Sequence, residues 1–381
     1  MLALLGLDTL ATTSSPHLAL LEDRKYTGET IGSSSLPTTW KQKYTQPQVG
    51  VKRTFLNLGL KNAVLEAGIE LREGWKLVDV DERDGKVVAI SEDGRREEGD
   101  FLVGCDGIHS SVREVVLRSH GVVGREEVEF TGLTQVCLLL LQFWNLSSNI
   151  CFQTAAITTT PDSLKAVPTM LNIYGPSTHL IAYPVSPTQT SLALTQRSLT
   201  SIPETWKKQS PSTTSSSLAD ALNEFSTWAS PVPELLAGAK DGFIKFGLFD
   251  RKELPADRWL SESGRIVLIG DAAHPTSPHL GQGANQALED CYFLFSLLPD
   301  FTSLDRESDN LDTDKLREVF TAFAEKRQPR TSILVKGARK LGELRVMGIE
   351  GAEGRDEILR KGWEDTEALE SKFRGLFSGP F

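Results

Sequence analysis

Among the 381 residues, the run from Arg265 to Asp290, RIVLIGDAAHPTSPHLGQGANQALED, holds the side chains best placed to do chemistry. Residues 266–269 are a short apolar stretch that suits a buried strand. Gly270 ends it, and Asp271 follows at the carboxyl end, where open α/β sheets bind their ligands. A carboxylate there accepts hydrogen bonds from a sugar-like hydroxyl. His274 follows closely; a satisfied structural histidine is the expectation, a general base the alternative. Gly281, Gln282, Gly283, Ala284 and Asn285 then open a helix. Glycines at a helix start let a flat ligand approach bare backbone N–H groups, and the helix dipole adds partial positive charge.

These groups need elements to hold them. Residues 1–7 suit a short helix ending at a glycine, and residues 20–50 are polar and turn-rich with no clear period. After Arg53, the residues Phe55, Leu56, Leu60, Ala63, Val64 and Ala67 recur near helical spacing, with Gly68 as C-cap. Residues 75–104 read as a β-meander with turns at Asp84-Gly85 and Asp93-Gly94, and residues 101–104 as a strand returning to the main sheet. That strand runs into Cys105-Asp106-Gly107, and Ser111 with Glu114 has the spacing of a capping box for the next helix. Residues 134–143, 180–185 and 191–195 look like strands, and 210–217 is a Ser/Thr-rich loop that could cap a helix near Leu218. Residues 313–345 suit an amphipathic helix interrupted near Pro329, with Glu325, Lys326, Arg327 and Arg330 on a solvated face.

Composition narrows the class. The chain is 39% hydrophobic and 24% charged, ordinary for a globular enzyme. A net charge of −10 argues against a nucleic-acid or anionic-membrane partner. No apolar run reaches the length of a transmembrane segment. The cysteines at 105, 137, 151 and 291 lack Cys-x-x-Cys spacing and read as reduced, mostly buried thiols of a cytoplasmic protein. No His/Asp/Glu cluster has metal-ligand spacing.

The 265–290 run resembles the second flavin-binding motif of the FAD-dependent aromatic hydroxylases, the p-hydroxybenzoate and salicylate hydroxylase group: Gly-Asp-Ala-Ala-His, Pro, Gly-Gln-Gly-x-Asn, then an acidic pair. Cys105-Asp106-Gly107-Ile108-His109-Ser110-Ser111-Val112-Arg113 is similar to the family's Asp-Gly motif, associated there with FAD and NAD(P)H. Arg53 matches an arginine that contacts the flavin in relatives, and Gly247 to Arg251 with Trp259 resembles the run before the last flavin strand. The family's opening Gly-x-Gly-x-x-Gly turn, which holds the FAD pyrophosphate, occurs nowhere in the sequence, so the expectation is a chain that begins about one βαβ unit of ~30 residues after it.

The resemblance implies a mixed α/β fold: a partial Rossmann-like FAD-binding domain from residues 1–115 and 255–300, an inserted antiparallel-sheet substrate domain at 116–254, and a helical region at 301–381. It implies FAD as cofactor, held by Arg53, Asp106, Gly107, Gly270, Asp271 and the 281–285 loop, with NAD(P)H as co-substrate. The implied activity is a monooxygenase that uses O2 to hydroxylate or epoxidise an aromatic or polyketide- or terpenoid-like small molecule. Tyr183 and His179 match a region that lines the pocket in relatives, although a tyrosine at a strand end is more often structural. No strand arginine follows the Asp-Gly motif's helix, where many relatives carry one, and this favours a larger, more apolar substrate. Two alternatives stay open: a degenerate or truncated homologue without redox activity that serves as a binding scaffold or does nothing, and a flavin reductase or dehydrogenase without oxygen transfer. An oligomer is compatible with the sequence.

Overall fold

The computed structural model describes residues 2–13, 15–124, 126, 129–138, 156–197, 223–239, 243–298 and 312–377. A 3-10 turn over Leu2–Leu5 leads to α1 (Thr9–Thr12), the hairpin β1 (Leu20–Lys25) and β2 (Thr30–Ser34), α2 (Pro37–Tyr44) and α3 (Arg53–Glu66). The meander β3 (Leu77–Arg83), β4 (Lys86–Ser91) and β5 (Arg96–Gly99) precedes β6 (Leu102–Gly104) and α4 (Ser111–Ser119). Next come β7 (Glu129–Leu138), β8 (Ala156–Thr159), α5 (Asp162–Lys165), β9 (Thr169–Gly175), β10 (Thr178–Ser186), β11 (Gln189–Arg197), α6 (Val232–Ala237) and β12 (Phe243–Asp250). The chain closes through β13 (Ile266–Leu268), α7 (Gly283–Leu297), α8 (Thr313–Arg345), α9 (Ile349–Glu364) and α10 (Thr366–Phe377).

The fold is mixed α/β, as expected. An eight-stranded sheet runs β12-β7-β11-β10-β9-β1-β2, with β8 on β11. It is antiparallel except where β1 lies parallel to β9. Its strands alternate. Leu171, Ile173, Leu180, Ala182, Leu192 and Leu194 point into a core with Phe225, Trp228, Val232 and Leu235. Asn172, His179, Ile181 and Tyr183 therefore face the other way, because successive strand side chains point to opposite faces. A second core surrounds the parallel pair β6–β13. Ile266, Val267 and Leu268 are fully buried between Val112 and Val116 of α4 and Phe320, Phe323 and Ala324 of α8.

The structure departs from the sequence reading in six places. Residues 20–44, read as turn-rich, form β1, β2 and α2; β1 is polar and takes its strand identity from pairing with β9, about 150 residues away. Helix α8 runs through Pro329 without interruption. The cap of α4 is Ser110, whose Oγ accepts from Arg113 N at 2.8 Å, so Ser111 is the first helical residue. Arg327 is fully buried and Arg330 partly so, each in a charge network. Cys105 and Cys291 are free and exposed where buried thiols were expected. The strand expected at 134–143 begins earlier, at Glu129, and its last residues, with the 210–217 loop and the helix near Leu218, lie outside the described residues.

Candidate functional site

The site is built where β13 runs out of partners. Ile269 N donates to Gly104 O at 2.9 Å and closes the ladder with β6. The next N–H, of Gly270, turns to a side chain and donates to Asp290 Oδ2 at 2.8 Å. Gly270 is left-handed, with φ +57°, and the chain folds into a tight turn over Gly270–Ala272. Asp271 is thereby set at the corner, its side chain open to solvent while Ala272, Ala273 and His274 are buried.

Asp271 is accessible but not freely hydrated. Burial of its surroundings pushes its carboxyl above the usual range, against the opposing pull of His274 and Arg53 and with Asp290 adding to the rise. Asp271 is exposed to solvent on one side and has protein close on the other. Arg53, the first residue of α3, is exposed and near enough for its charge to act on Asp271: burial disfavours its charged form and the Asp271 carboxylate favours it.

The first turn of α7 forms another wall. A short turn over Pro278–Leu280 ends at Gly281, left-handed with φ +63°, and no atom lies within 4 Å of where a Cβ would sit there. Gln282 precedes α7 without capping it through its side chain, and Ala284 and Asn285 are exposed. A Cβ on Gly283 would lie 3.9 Å from Asp271 Oδ1, so the carboxylate and the helix start are neighbours. The carboxylate and the helix N-terminus thus meet at one open recess, with the Arg53 charge close by. That set can hold a ligand with hydroxyls for Asp271 and a planar, electron-accepting ring for the α7 amides.

Asp106 is used differently from Asp271. Its Oδ2 accepts from Ser111 N at 2.7 Å and Val112 N at 3.2 Å, and its Oδ1 accepts from Ser110 Oγ. It therefore caps α4, beside Gly107 at φ +83°. Arg113 of that helix is fully buried and donates to Ala272 O and Ala273 O, each at 3.1 Å, and to Lys252 O at 2.7 Å. The Asp106 loop and the Asp271 corner are joined through it.

His274 is buried. Its Nε2 lies 2.6 Å from Asp290 Oδ2, and its ring sits 5.3 Å from that of Trp259. Tyr183 is half-buried on β10, and a Cβ at Gly50 would strike its ring, so the segment before α3 crosses it closely. His179 is buried, with Nε2 3.1 Å from Asn172 Oδ1. The structure brings Asp271 and the 281–285 loop together, with Arg53 close by; Tyr183 and His179 lie on the large sheet, Tyr183 under the segment that leads into α3.

Two groups were missed by sequence reasoning. Arg345, at the end of α8, ties the loop before Gly281 to the large sheet, with Nη1 3.4 Å from His279 Nδ1 and Nη2 donating to Asn172 Oδ1 at 3.2 Å. Burial and the Arg345 charge hold His279 down to about 3, so it is neutral near pH 7. The other is the lattice of Glu289, Asp290 and Arg327. A signal for Arg327 existed: it falls on the buried stripe Phe320, Phe323, Ala324, Arg327, Thr331, Val335, Ala338 at helical spacing.

The FAD binding domain family matches residues 5–318. A salicylate hydroxylase of Pseudomonas putida is 30% identical over 272 residues, 71% of this chain and 58% of that protein. A 3-amino-4-hydroxybenzoate 2-monooxygenase of Streptomyces platensis is 32% identical over 298 residues, 77% of this chain and 66% of that one. The chain thus spans under two thirds of the length of these curated relatives. Klebsiella pneumoniae HpxO complexed with FAD and uric acid shares the fold at TM-score 0.76 and 20% identity, covering 100% of this chain and 85% of that one. A salicylate hydroxylase substrate complex does so at TM-score 0.66 and 22% identity, covering 97% and 85%.

Proposed function

The chain belongs to the FAD binding domain family, and from that premise we propose that it is an FAD-dependent monooxygenase. It uses NAD(P)H and O2 to hydroxylate or epoxidise an aromatic or polyketide- or terpenoid-like small molecule. The observation that carries this reading is the meeting of Asp271 and the uncapped start of α7 at one recess, with the Arg53 charge close by. The relatives' names, salicylate hydroxylase and 3-amino-4-hydroxybenzoate 2-monooxygenase, support the reaction class.

FAD, when bound, supplies the hydride acceptor and the site of oxygen activation. The protein's own groups bind and orient. Asp271 would accept hydrogen bonds from the cofactor's ribityl hydroxyls. Arg53 would add a positive charge near the cofactor, and the N-terminus of α7, which Gln282 does not cap through its side chain, would place partial positive charge beside the ring. Asp106 and Gly107 shape a turn that would border the cofactor, and Arg113 keeps that turn in register with the Asp271 corner. The face of the large sheet that carries Tyr183 and Ile181 forms the substrate side and helps exclude water. In this division residues 1–115 and 255–300 serve the cofactor, 116–254 the substrate, and 301–381 brace both, with β1 and β2 crossing into the substrate sheet. The proposed setting is the cytoplasm, which suits the free thiols Cys105 and Cys291. No helix among the described residues is long and apolar enough to cross a membrane.

The test is titration of the purified protein with FAD, followed by flavin fluorescence, and then NAD(P)H oxidation with a panel of phenols and aromatic acids. Saturable binding with substrate-stimulated oxidation and an oxygenated product supports the reading. Binding without oxidation leaves a scaffold, oxidation without oxygen transfer leaves a reductase, and absence of binding removes the flavoprotein assignment.

A further inference from the structure

We propose that Asp290 and Arg327 are positioning residues that fix the Asp271 corner for its cofactor. The proposal rests on the FAD reading for its ligand, and on geometry alone for the corner. Asp290 is fully buried and holds the turn at both ends: its Oδ2 accepts from Gly270 N at 2.8 Å and contacts His274 Nε2 at 2.6 Å. Asp271 lies between these two anchors. The other oxygen, Oδ1, accepts from Arg327 Nε at 2.7 Å. Arg327 is also fully buried, and its remaining nitrogens reach Glu289 Oε2 at 2.8 Å and Gln286 Oε1 at 2.9 Å. Arg330 completes the lattice with two bonds to Glu289, at 2.8 and 2.9 Å.

A buried ion pair is a poor way to gain stability, since desolvation consumes most of the attraction and apolar packing does as well. Orientation is what this one supplies. Gly270 has left the β13–β6 ladder, so its N–H needs an acceptor inside the protein. An ionised carboxylate is the strongest acceptor a side chain offers; against burial, His274 and then Arg327 hold the Asp290 pKa below the ordinary value, and the Arg327 bond to Oδ1 keeps it pointed. Glu289 and Asp290 sit on α7, whose first turn forms the neighbouring wall of the recess. One guanidinium therefore ties α8 to α7, and α7 to the corner. A side chain that only filled the core would lower stability everywhere when removed. A positioning pair loosens the corner first.

The experiment uses the full chain as wild type, Asp290→Asn, Arg327→Met and the milder His274→Gln. Hydrogen–deuterium exchange without FAD reads the corner directly, and FAD titration reads the ligand. The expected result is exchange about tenfold faster over residues 268–275 in the first two variants, with β10 and β11 unchanged. FAD affinity falls about tenfold in parallel, and His274→Gln shows the same pattern more weakly. Uniformly raised exchange across the chain, unchanged exchange at 268–275, or unchanged FAD affinity in a loosened corner each overturns the proposal. If either buried variant does not fold, His274→Gln decides alone by the same local reading. A wild type that binds no FAD removes the flavoprotein reading, and the exchange data still decide whether the pair positions the corner.

Discussion

Arg327 and Asp290 meet at 2.7 Å with neither side chain exposed, one from the middle of α8 and the other from α7. Through that contact, α8, remote in sequence from β13, acts by way of α7 on where Asp271 points. The recess is thus held by groups that do not line it.

Asp271 is the carboxylate most directly committed to the ligand. Asp271→Ala is expected to weaken FAD binding about 10- to 100-fold, the range of a lost hydrogen bond to a charged group. Because burial raises its pKa above the ordinary 3.8, the ionised acceptor is lost at a higher pH than for a free aspartate. FAD affinity should therefore decline as pH falls through that raised value, and Asp271→Asn should flatten the profile. Fluorescence titrations from roughly pH 4 to 8 measure both; a wild-type profile as flat as the variant's contradicts the assignment.

His279 is expected to contribute to the loss of stability in acid. Its folded pKa of about 3 lies below the ordinary 6.5, so the unfolded chain takes up the proton first as pH falls. Its contribution is complete above pH 6.5 and is lost progressively from there towards about pH 3. His179, buried and also lowered, acts in the same direction. His279→Gln should remove up to about 1.4 kcal/mol per pH unit from the slope in that window. Urea unfolding at several pH values gives the slope.

Gly281 is left-handed in open space, so an added methyl meets strain in the backbone and no clash. Gly281→Ala should cost about 1–2 kcal/mol, and Gly281→Asn less, because asparagine tolerates this conformation. Thermal unfolding of the pair ranks them; equal midpoints would mean that the turn relaxes.

Pro329 is exposed within a continuous helix and supplies no N–H to it. Pro329→Ala should stabilise the protein by about 1–3 kcal/mol, the helix-interior difference between the two residues. A lower unfolding midpoint would show that the proline shapes the course of α8 past the Arg327 lattice.

Much of the site was legible because its parts are local. A strand end, an acidic corner and a glycine-opened helix follow one another within residues 265–290, and short-range sterics and the backbone dipole act over that distance. The meander at β3–β5 and helix α3 were equally readable, from alternation, turn glycines and helical spacing. Other features carry no such signature. Strand β1 is polar and becomes a strand only by lying beside β9.

The sequence by itself determined the fold class, the family and the residues of the Asp271 corner. Only the tertiary structure decided that Asp106 is spent capping α4, that Arg113 clasps the corner's carbonyls, and that Arg327 leaves the solvent to hold Asp290. The reason is that a charge's role depends on what replaces its water. Chain position fixes which helix face Arg327 occupies, but only the packing of α8 on α7 places two carboxylates there to receive it.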